Sequence, residues 1–385
     1  MRRGTTVGCI AVALLLCACS AQMDVHYLAD DADGGRNNGS VGSAEARSYL
    51  IGGLRLIGAQ PVGAGAGAGA DPEAYEHAFV GGTNIVALLP GTDLADEHVL
   101  VGAHYDGLGS SCRTADAADT ICNGATDNAT GVAVVMDVAR ELSRHPHRRS
   151  VIIALWDREE DGLLGSRAFV QAPPVPLQSI KTYVNFDIQG ANLLPSLRDT
   201  SFAIGAETGG PKLQSLVDEA IGSAELGTRP LSVIFGQGRS DHAVLIGAGV
   251  PSVFFSDSTG PCYHTAQDDE DVVDHAKLAQ QIAIAQHLVR DLTDADALPA
   301  LATGQPLATY ADAITIDGVL DRAASDLGRF TPTQQAQIGT IRQSVATIVA
   351  EGPLSFDDTD IASLLSGSVT LVSTLSTGPC DGFLE

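Results

Sequence analysis

Val99-Leu100-Val101-Gly102-Ala103-His104-Tyr105-Asp106 is an apolar run that ends in an imidazole and a carboxylate two residues apart. A strand buried on both faces is apolar throughout instead of alternating, so the run predicts a strand inside an α/β sheet. The carboxyl ends of such strands are where that architecture presents its functional loops. Residues two apart in an extended chain project to the same side. Asp106 is therefore placed to accept the second N–H of His104, which fixes the tautomer and raises the basicity of the other nitrogen.

The same pattern recurs along the chain. Val151–Trp156 leads into Asp157-Arg158-Glu159-Glu160, Thr182–Phe186 into Asp187, and Ser252–Phe255 into the loop that carries Tyr263-His264. Further strands are expected at Asn84–Leu89, Phe202–Ile204 and Leu231–Phe235, and helices at Ala44–Ile57, Gly131–Leu142, Lys212–Ile221 and Ala276–Leu292. Apolar strands alternating with helices predict a three-layer αβα sandwich around a central, mostly parallel mixed sheet. Past residue 294 the helical patterns Ile314–Leu327, Thr333–Val349 and Asp360–Leu375 carry no cluster of chemical residues, and predict a helical C-terminal extension.

The residues at the strand ends have metal-site chemistry. Asp127 lies in Gly124-Ala125-Thr126-Asp127-Asn128-Ala129-Thr130-Gly131, just before a helix. An acid there commonly caps the helix. Asn128 or Thr130 can take that task, freeing both Asp127 oxygens to bridge two cations. In Glu159-Glu160, one acid binding metal and one free to accept a proton is a sensible division beside such a pair. Asp187 and His264 complete the donors.

The stretches Gly102–Gly107, Thr126–Gly131, Asp157–Ser166, Asn185–Asp187 and Tyr263–Asp268 together resemble, in order, the two-zinc exopeptidase family of bacterial leucyl aminopeptidase, with glutamate carboxypeptidases and glutaminyl cyclases as relatives. The resemblance covers about residues 44–292. It implies one zinc held by His104, Asp187 and Asp127, and a second held by Glu160, His264 and the same Asp127. It also implies Glu159 as general base, a cis bond between Asp127 and Asn128, and Asp241 as a supporting residue near the pocket. Tyr263 is a candidate oxyanion stabiliser or a packing tyrosine, and His242 is structural. The expected activity is hydrolysis of N-terminal residues from peptides. The alternatives are a glutaminyl cyclase, a carboxypeptidase with Arg239 or Arg158 as carboxylate clamp, or a non-catalytic surface lipoprotein. The loop 108–123 is placed to wall the substrate cleft.

The chain has 385 residues with 22 basic and 47 acidic side chains, a formal charge of −25. Phosphates would be repelled, which excludes nucleic acid as a partner. Arg2 and Arg3 precede a short apolar stretch, Val7–Ala18, too short to span a bilayer. Leu16-Cys17-Ala18-Cys19-Ser20 resembles a bacterial lipoprotein box with Cys19 as the lipidated residue. The domain expectation is a leader (1–18), a flexible acidic tether (19–42), a catalytic domain (43–293) and the extension (294–385), exported as an envelope lipoprotein or secreted. Residues 62–70, glycine and alanine with one valine, read as a low-complexity loop. Of seven cysteines, Cys112, Cys122, Cys262 and Cys380 remain for disulfides, with three pairings open. Cys112 and Cys122 are the natural local pair, which leaves Cys262 with Cys380.

Overall fold

The computed structural model describes residues 20–63, 71–113, 119–378 and 380. The leader, Cys19 and most of the glycine–alanine stretch lie outside the described residues. Among the described residues nine strands form one sheet: β1 (Gln60–Pro61), β2 (Glu76–Phe79), β3 (Gly82–Leu89), β4 (Leu94–His104), β5 (Arg149–Trp156), β6 (Ile180–Phe186), β7 (Thr200–Ile204), β8 (Gly227–Leu231) and β9 (Ser252–Ser256). Their order is β1-β3-β5-β4-β6-β9-β7-β8, with β2 on β3. The central strands β5, β4, β6 and β9 run parallel, while β3 and β7 join antiparallel. The described helices are α1 (20–28), α2 (Val41–Leu56), α3 (Thr130–Leu142), α4 (Leu164–Gln171), α5 (Gly210–Gly222), α6 (His242–Gly247), α7 (His275–Asp294), α8 (Tyr310–Arg322), α9 (Pro332–Glu351) and α10 (Asp358–Leu375). The expected mixed sheet between helical layers is present.

Strand alternation divides the core in two. Val99, Val101, Ala103, Ile153 and Leu155 face α3 and α7, while Leu100, Ile152, Ala154 and Trp156 face Phe169 of α4 and Leu245 of α6. Successive strand side chains point to opposite faces, and here both faces are covered, which is why β4 and β5 are apolar throughout. Each fully buried large apolar side chain contributes about 1.5–3 kcal/mol. The register sets His104 beside Trp156, and Phe186 beside Phe255, so the ends of β5, β4, β6 and β9 form one rim.

The tether expected over 19–42 is corrected. Residues 20–28 form α1, and Ala21, Val25 and Leu28 are buried in the main core. Asp24 accepts from Arg140 at 2.7 and 2.9 Å and from the Tyr49 hydroxyl at 2.7 Å. The acidic composition suggested solvation, but these polar groups have internal partners. The strand expected at Leu231–Phe235 is also corrected: β8 ends at Leu231 and a 3₁₀ turn, Val233–Gly236, follows. Both disulfides, Cys112–Cys122 and Cys262–Cys380, form as the cysteine spacing suggested.

The C-terminal helices pack on the far sheet edge. Phe235 joins Ile316, Leu320, Ile348 and Leu364 in one apolar cluster. Asp312, near the start of α8, accepts from the Ser232 amide and hydroxyl, each at 2.7 Å. No helix among the described residues is long and apolar enough to cross a membrane.

Candidate active site

His104 is the last residue of β4, Glu159 and Glu160 follow β5, Asp187 follows β6, and His264 lies in the loop after β9. Asp127 sits in the turn ahead of α3, after the β4 strand. The rim therefore collects all five expected metal donors. His104 Nε2 lies 3.2 Å from Asp127 Oδ1 and 3.4 Å from Asp187 Oδ1. His264 Nε2 lies 3.2 Å from Asp127 Oδ2 and 3.0 Å from Glu160 Oε2. Donor atoms of His104, Asp127 and Asp187 fall within 4.8 Å of one another, as do those of Asp127, Glu160 and His264. Asp127 thus offers one oxygen to each triad. Both imidazole Nε2 atoms are buried and make no directed hydrogen bond. Nitrogen and carboxylate donors oriented this way, with two orphaned imidazole nitrogens, fit zinc.

Local structure explains the aim of each group. Asn128 takes the cap: its Oδ1 accepts from the Gly131 amide at 3.1 Å and the Ile188 amide at 3.2 Å, and its amide donates to the Phe186 carbonyl at 3.0 Å. The cap thereby stitches α3 to the end of β6 and leaves Asp127 free. A Cβ on Gly131 would meet Asn128 Oδ1 at 2.1 Å and the Phe186 carbonyl at 2.6 Å, so only glycine allows this approach. The Asp127–Asn128 peptide bond is cis, as the resemblance implied.

Asp106 does more than expected. Its carboxylate lies 3.4 Å from His104 Nδ1, while its backbone carbonyl lies 3.2 Å from the same nitrogen. The carboxylate also accepts from the Glu159 amide at 3.0 Å and the Glu160 amide at 3.3 Å. One residue thus orients an imidazole and the acid pair together.

Two supporting residues escaped the sequence reading. Asp268 accepts from the Thr126 amide (2.9 Å), the Thr126 hydroxyl (2.6 Å) and the Asp127 amide (3.0 Å). Its position within the matched stretch Tyr263–Asp268 was the available signal, masked by the acidic run Asp268-Asp269-Glu270-Asp271. Arg36 is fully buried and donates to the carbonyls of Tyr105 (3.1 Å), Asn123 (2.5 Å), Gly124 (3.1 Å) and Leu28. It braces the loops that carry Asp106 and Asp127, and nothing in its local sequence announced this.

The site holds more negative than positive charge. Burial raises the pKa of Glu159 well above the usual range, with Asp187, Asp241 and Glu160 adding to it against the pull of His104. Burial and Asp127 push Glu160 up to about 7, and burial pushes Asp241 up to about 7. Burial works to lower both imidazoles, but their acid neighbours win: His104 stands well above its ordinary value and His264 at about 10. Burial would raise Asp127, yet the two imidazoles hold it well below the usual carboxylate range. Crowded, buried carboxylates of this kind favour a cation among them.

Glu159 lies outside both triads but lines the cleft with Asp127, Asp187 and Tyr263. The Tyr263 ring stacks on His264, with centroids 3.7 Å apart, and the Arg239 guanidinium lies over the Tyr263 ring, 5.5 Å from its centroid. Leu108 and Cys122 of the loop 108–123 border the second triad. Arg158 is a surface ion-pair residue, 2.8 Å from Asp161, whereas Arg239 lines the cleft.

An α/β sheet with two carboxylate–imidazole triads on its carboxyl rim has the donor set of a metal centre. The model of "Peptidase family M28" matches residues 84–289, and the chain belongs to that family. A probable glutamate carboxypeptidase of Arabidopsis thaliana is 30% identical over 205 residues, covering 48% of this chain and 27% of the relative. Leucine aminopeptidase 2 of Trichophyton equinum is 29% identical over 174 residues, covering 44% of this chain and 32% of the relative. The match thus spans about a third or less of these curated relatives. Among solved structures, the Legionella pneumophila LapA aminopeptidase superposes with a TM-score of 0.58 at 17% identity, covering 76% of this chain and 78% of that one. Porphyromonas gingivalis glutaminyl cyclase gives 0.56 at 20%, covering 71% and 98%. These likenesses establish the shared fold.

Proposed function

We propose that the chain is a zinc-dependent exopeptidase, and within that class an aminopeptidase with two zinc ions. The observation that carries this reading is Asp127, whose two oxygens each lie 3.2 Å from a different imidazole. His104, Asp127 and Asp187 would hold one ion; Asp127, Glu160 and His264 the other. Zinc there supplies Lewis acidity, polarising a carbonyl and acidifying water.

The remaining steps fall to side chains. Glu159 accepts the proton of the attacking water on its carboxylate and returns it to the leaving amine nitrogen. Burial and neighbouring acids raise the pKa of that carboxyl; the positive charge of bound zinc would act against them and favour the ionised form that accepts the proton. Asp106 fixes the His104 ring through Nδ1 and the acid pair through two backbone amides. The Tyr263 hydroxyl, at the cleft, donates to the carbonyl oxygen as charge develops there. The acids of the rim attract a free α-amine, which confines cleavage to the N-terminus.

Arg239 in the cleft favours a second reading, a carboxypeptidase whose substrate carboxylate pairs with that guanidinium. The glutaminyl cyclase neighbour supports a third, cyclisation of N-terminal glutamine. A panel of aminoacyl-nitroanilides, N-blocked peptides and peptides beginning with glutamine separates the three. Release only from free-amine substrates supports the aminopeptidase; release only from blocked peptides with a free carboxylate refutes it. Glu159→Gln should keep zinc and lose about 10²–10⁴-fold in turnover. Near-normal turnover would refute the base assignment.

Two disulfides fit an oxidising compartment and hence export. We further propose peptides as substrates and a lipid anchor on Cys19; Cys19→Ala should release the protein from membranes, and unchanged fractionation would defeat the anchor.

A further inference from the structure

Beside the cleft that holds Glu159 and Asp187 lies a second cavity, of about 140 Å³. Its walls come from two parts of the chain. Leu194, Phe202 and Ile204 belong to the sheet side, and Ile316, Phe330 and Leu371 to the C-terminal helical region. The two spaces are neighbours: Ile204, Phe235, Gln237, Ser258 and Val372 line both. Among the described residues, Val372 of α10 is the one side chain of the C-terminal helices that borders the cleft itself. The end of α10 is held in place, since Cys380 is bonded to Cys262, two residues from His264, and Arg113 donates to the Ser376 carbonyl.

An apolar cavity of about 150 Å³ lined by leucine, isoleucine and phenylalanine stays dry and admits one benzene ring. The chamber here has about that size and a mostly apolar lining, and it shares five wall residues with the cleft that holds the proposed general base. Resting on the exopeptidase reading above, we propose that it receives the side chain of the substrate's terminal residue, a benzyl- or isobutyl-sized apolar group. The C-terminal helices then set substrate preference, with Val372 lining both chamber and cleft and Leu371 in the chamber wall as the specificity-determining residues. A chamber closed by the α/β body alone would give the extension no such part.

The test uses the full, zinc-loaded chain and two readouts. Calorimetry with toluene reports the chamber without any turnover: one molecule should bind the wild type and none the Val372→Trp variant. The ratio of kcat/KM for phenylalanyl- over alanyl-nitroanilide should fall at least roughly tenfold in Val372→Trp, the scale of discrimination by a hydrophobic pocket. The alanyl rate should fall less than the phenylalanyl rate. Should Val372→Trp fail to fold, Leu371→Phe, which fills the chamber from its wall, is held to the same two results. An unchanged ratio in a folded variant, an equal loss on both substrates, or no toluene binding to the wild type overturns the proposal. If the wild type hydrolyses neither substrate, the aminopeptidase reading fails, while toluene still decides whether the chamber binds.

Discussion

Asp268 carries a prediction that can be worked in numbers. Its carboxylate takes three hydrogen bonds from the Thr126–Asp127 turn: two on Oδ1, from the Thr126 amide and hydroxyl, and one on Oδ2, from the Asp127 amide. The residue is 1% exposed, so water does not stand in for it. Asp268→Asn keeps size and shape but replaces one acceptor oxygen by a donor. Turned either way, the new amide faces at least one buried N–H donor to donor. An unsatisfied buried donor costs about 1–3 kcal/mol. The variant should therefore lose roughly that much stability in a denaturant titration. The turn it loosens carries the carboxylate shared by both triads. Loss of a group that orients a ligand typically lowers metal affinity about 10–100-fold, and competition with a chelator should show zinc affinity falling by that factor. Thr126→Val removes the hydroxyl donor independently. The double variant should fall short of additivity, because one partner is already lost in each single variant. Wild-type stability together with wild-type zinc affinity in Asp268→Asn would refute the claim that this acid holds the bridging residue.

Other expectations follow from the same structure. His242 is buried, stacks on Phe254 at 4.4 Å, and burial lowers its pKa to about 3. Because the unfolded chain binds its proton near pH 6.5 and the folded chain does not, stability should fall as pH drops from 6.5 towards 3. Between pH 7.5 and 5.5 this one group costs roughly 1.4 kcal/mol, a slope that His242→Gln should lack when denaturant midpoints are compared. An identical slope in that variant would remove His242 from the account. The Cys262–Cys380 bond closes a loop of 118 residues. Replacing both cysteines by serine should cost up to about 5 kcal/mol in the chain-entropy model, and a variant as stable as wild type would show that the C-terminal helices dock without it.

Much of the fold and the site was legible because its signals are local. Val99–Ala103 and Val151–Trp156 are apolar throughout because both their faces are covered, and they lead into the candidate site residues His104 and Glu159-Glu160. The donors His104, Glu160, Asp187 and His264 could be read from segments that follow strands and Asp127 from the turn before a helix, and the structure brings all five together. What was illegible depends on partners far away in the chain. Asp24 and Arg36 sit in a segment whose composition suggests solvent. Asp24 pairs with Arg140, and Arg36 reaches carbonyls at Asn123 and Gly124. No local pattern distinguishes such buried polar residues from exposed ones. Asp268 looked like one of several surface acids, and only the folded loop reveals its three donors. The C-terminal helices carried no chemical motif, since what they bring to this region is apolar surface, Val372 at the edge of the cleft and Leu371 in the neighbouring cavity.

The central claim is that Asp127 joins two neighbouring cation sites. Anomalous diffraction at the zinc edge, on crystals of the full chain grown with zinc, tests it directly. The account predicts two peaks, one between His104 and Asp187, the other between Glu160 and His264, with Asp127 reaching both. A single peak, or peaks that leave Asp127 untouched, would contradict it.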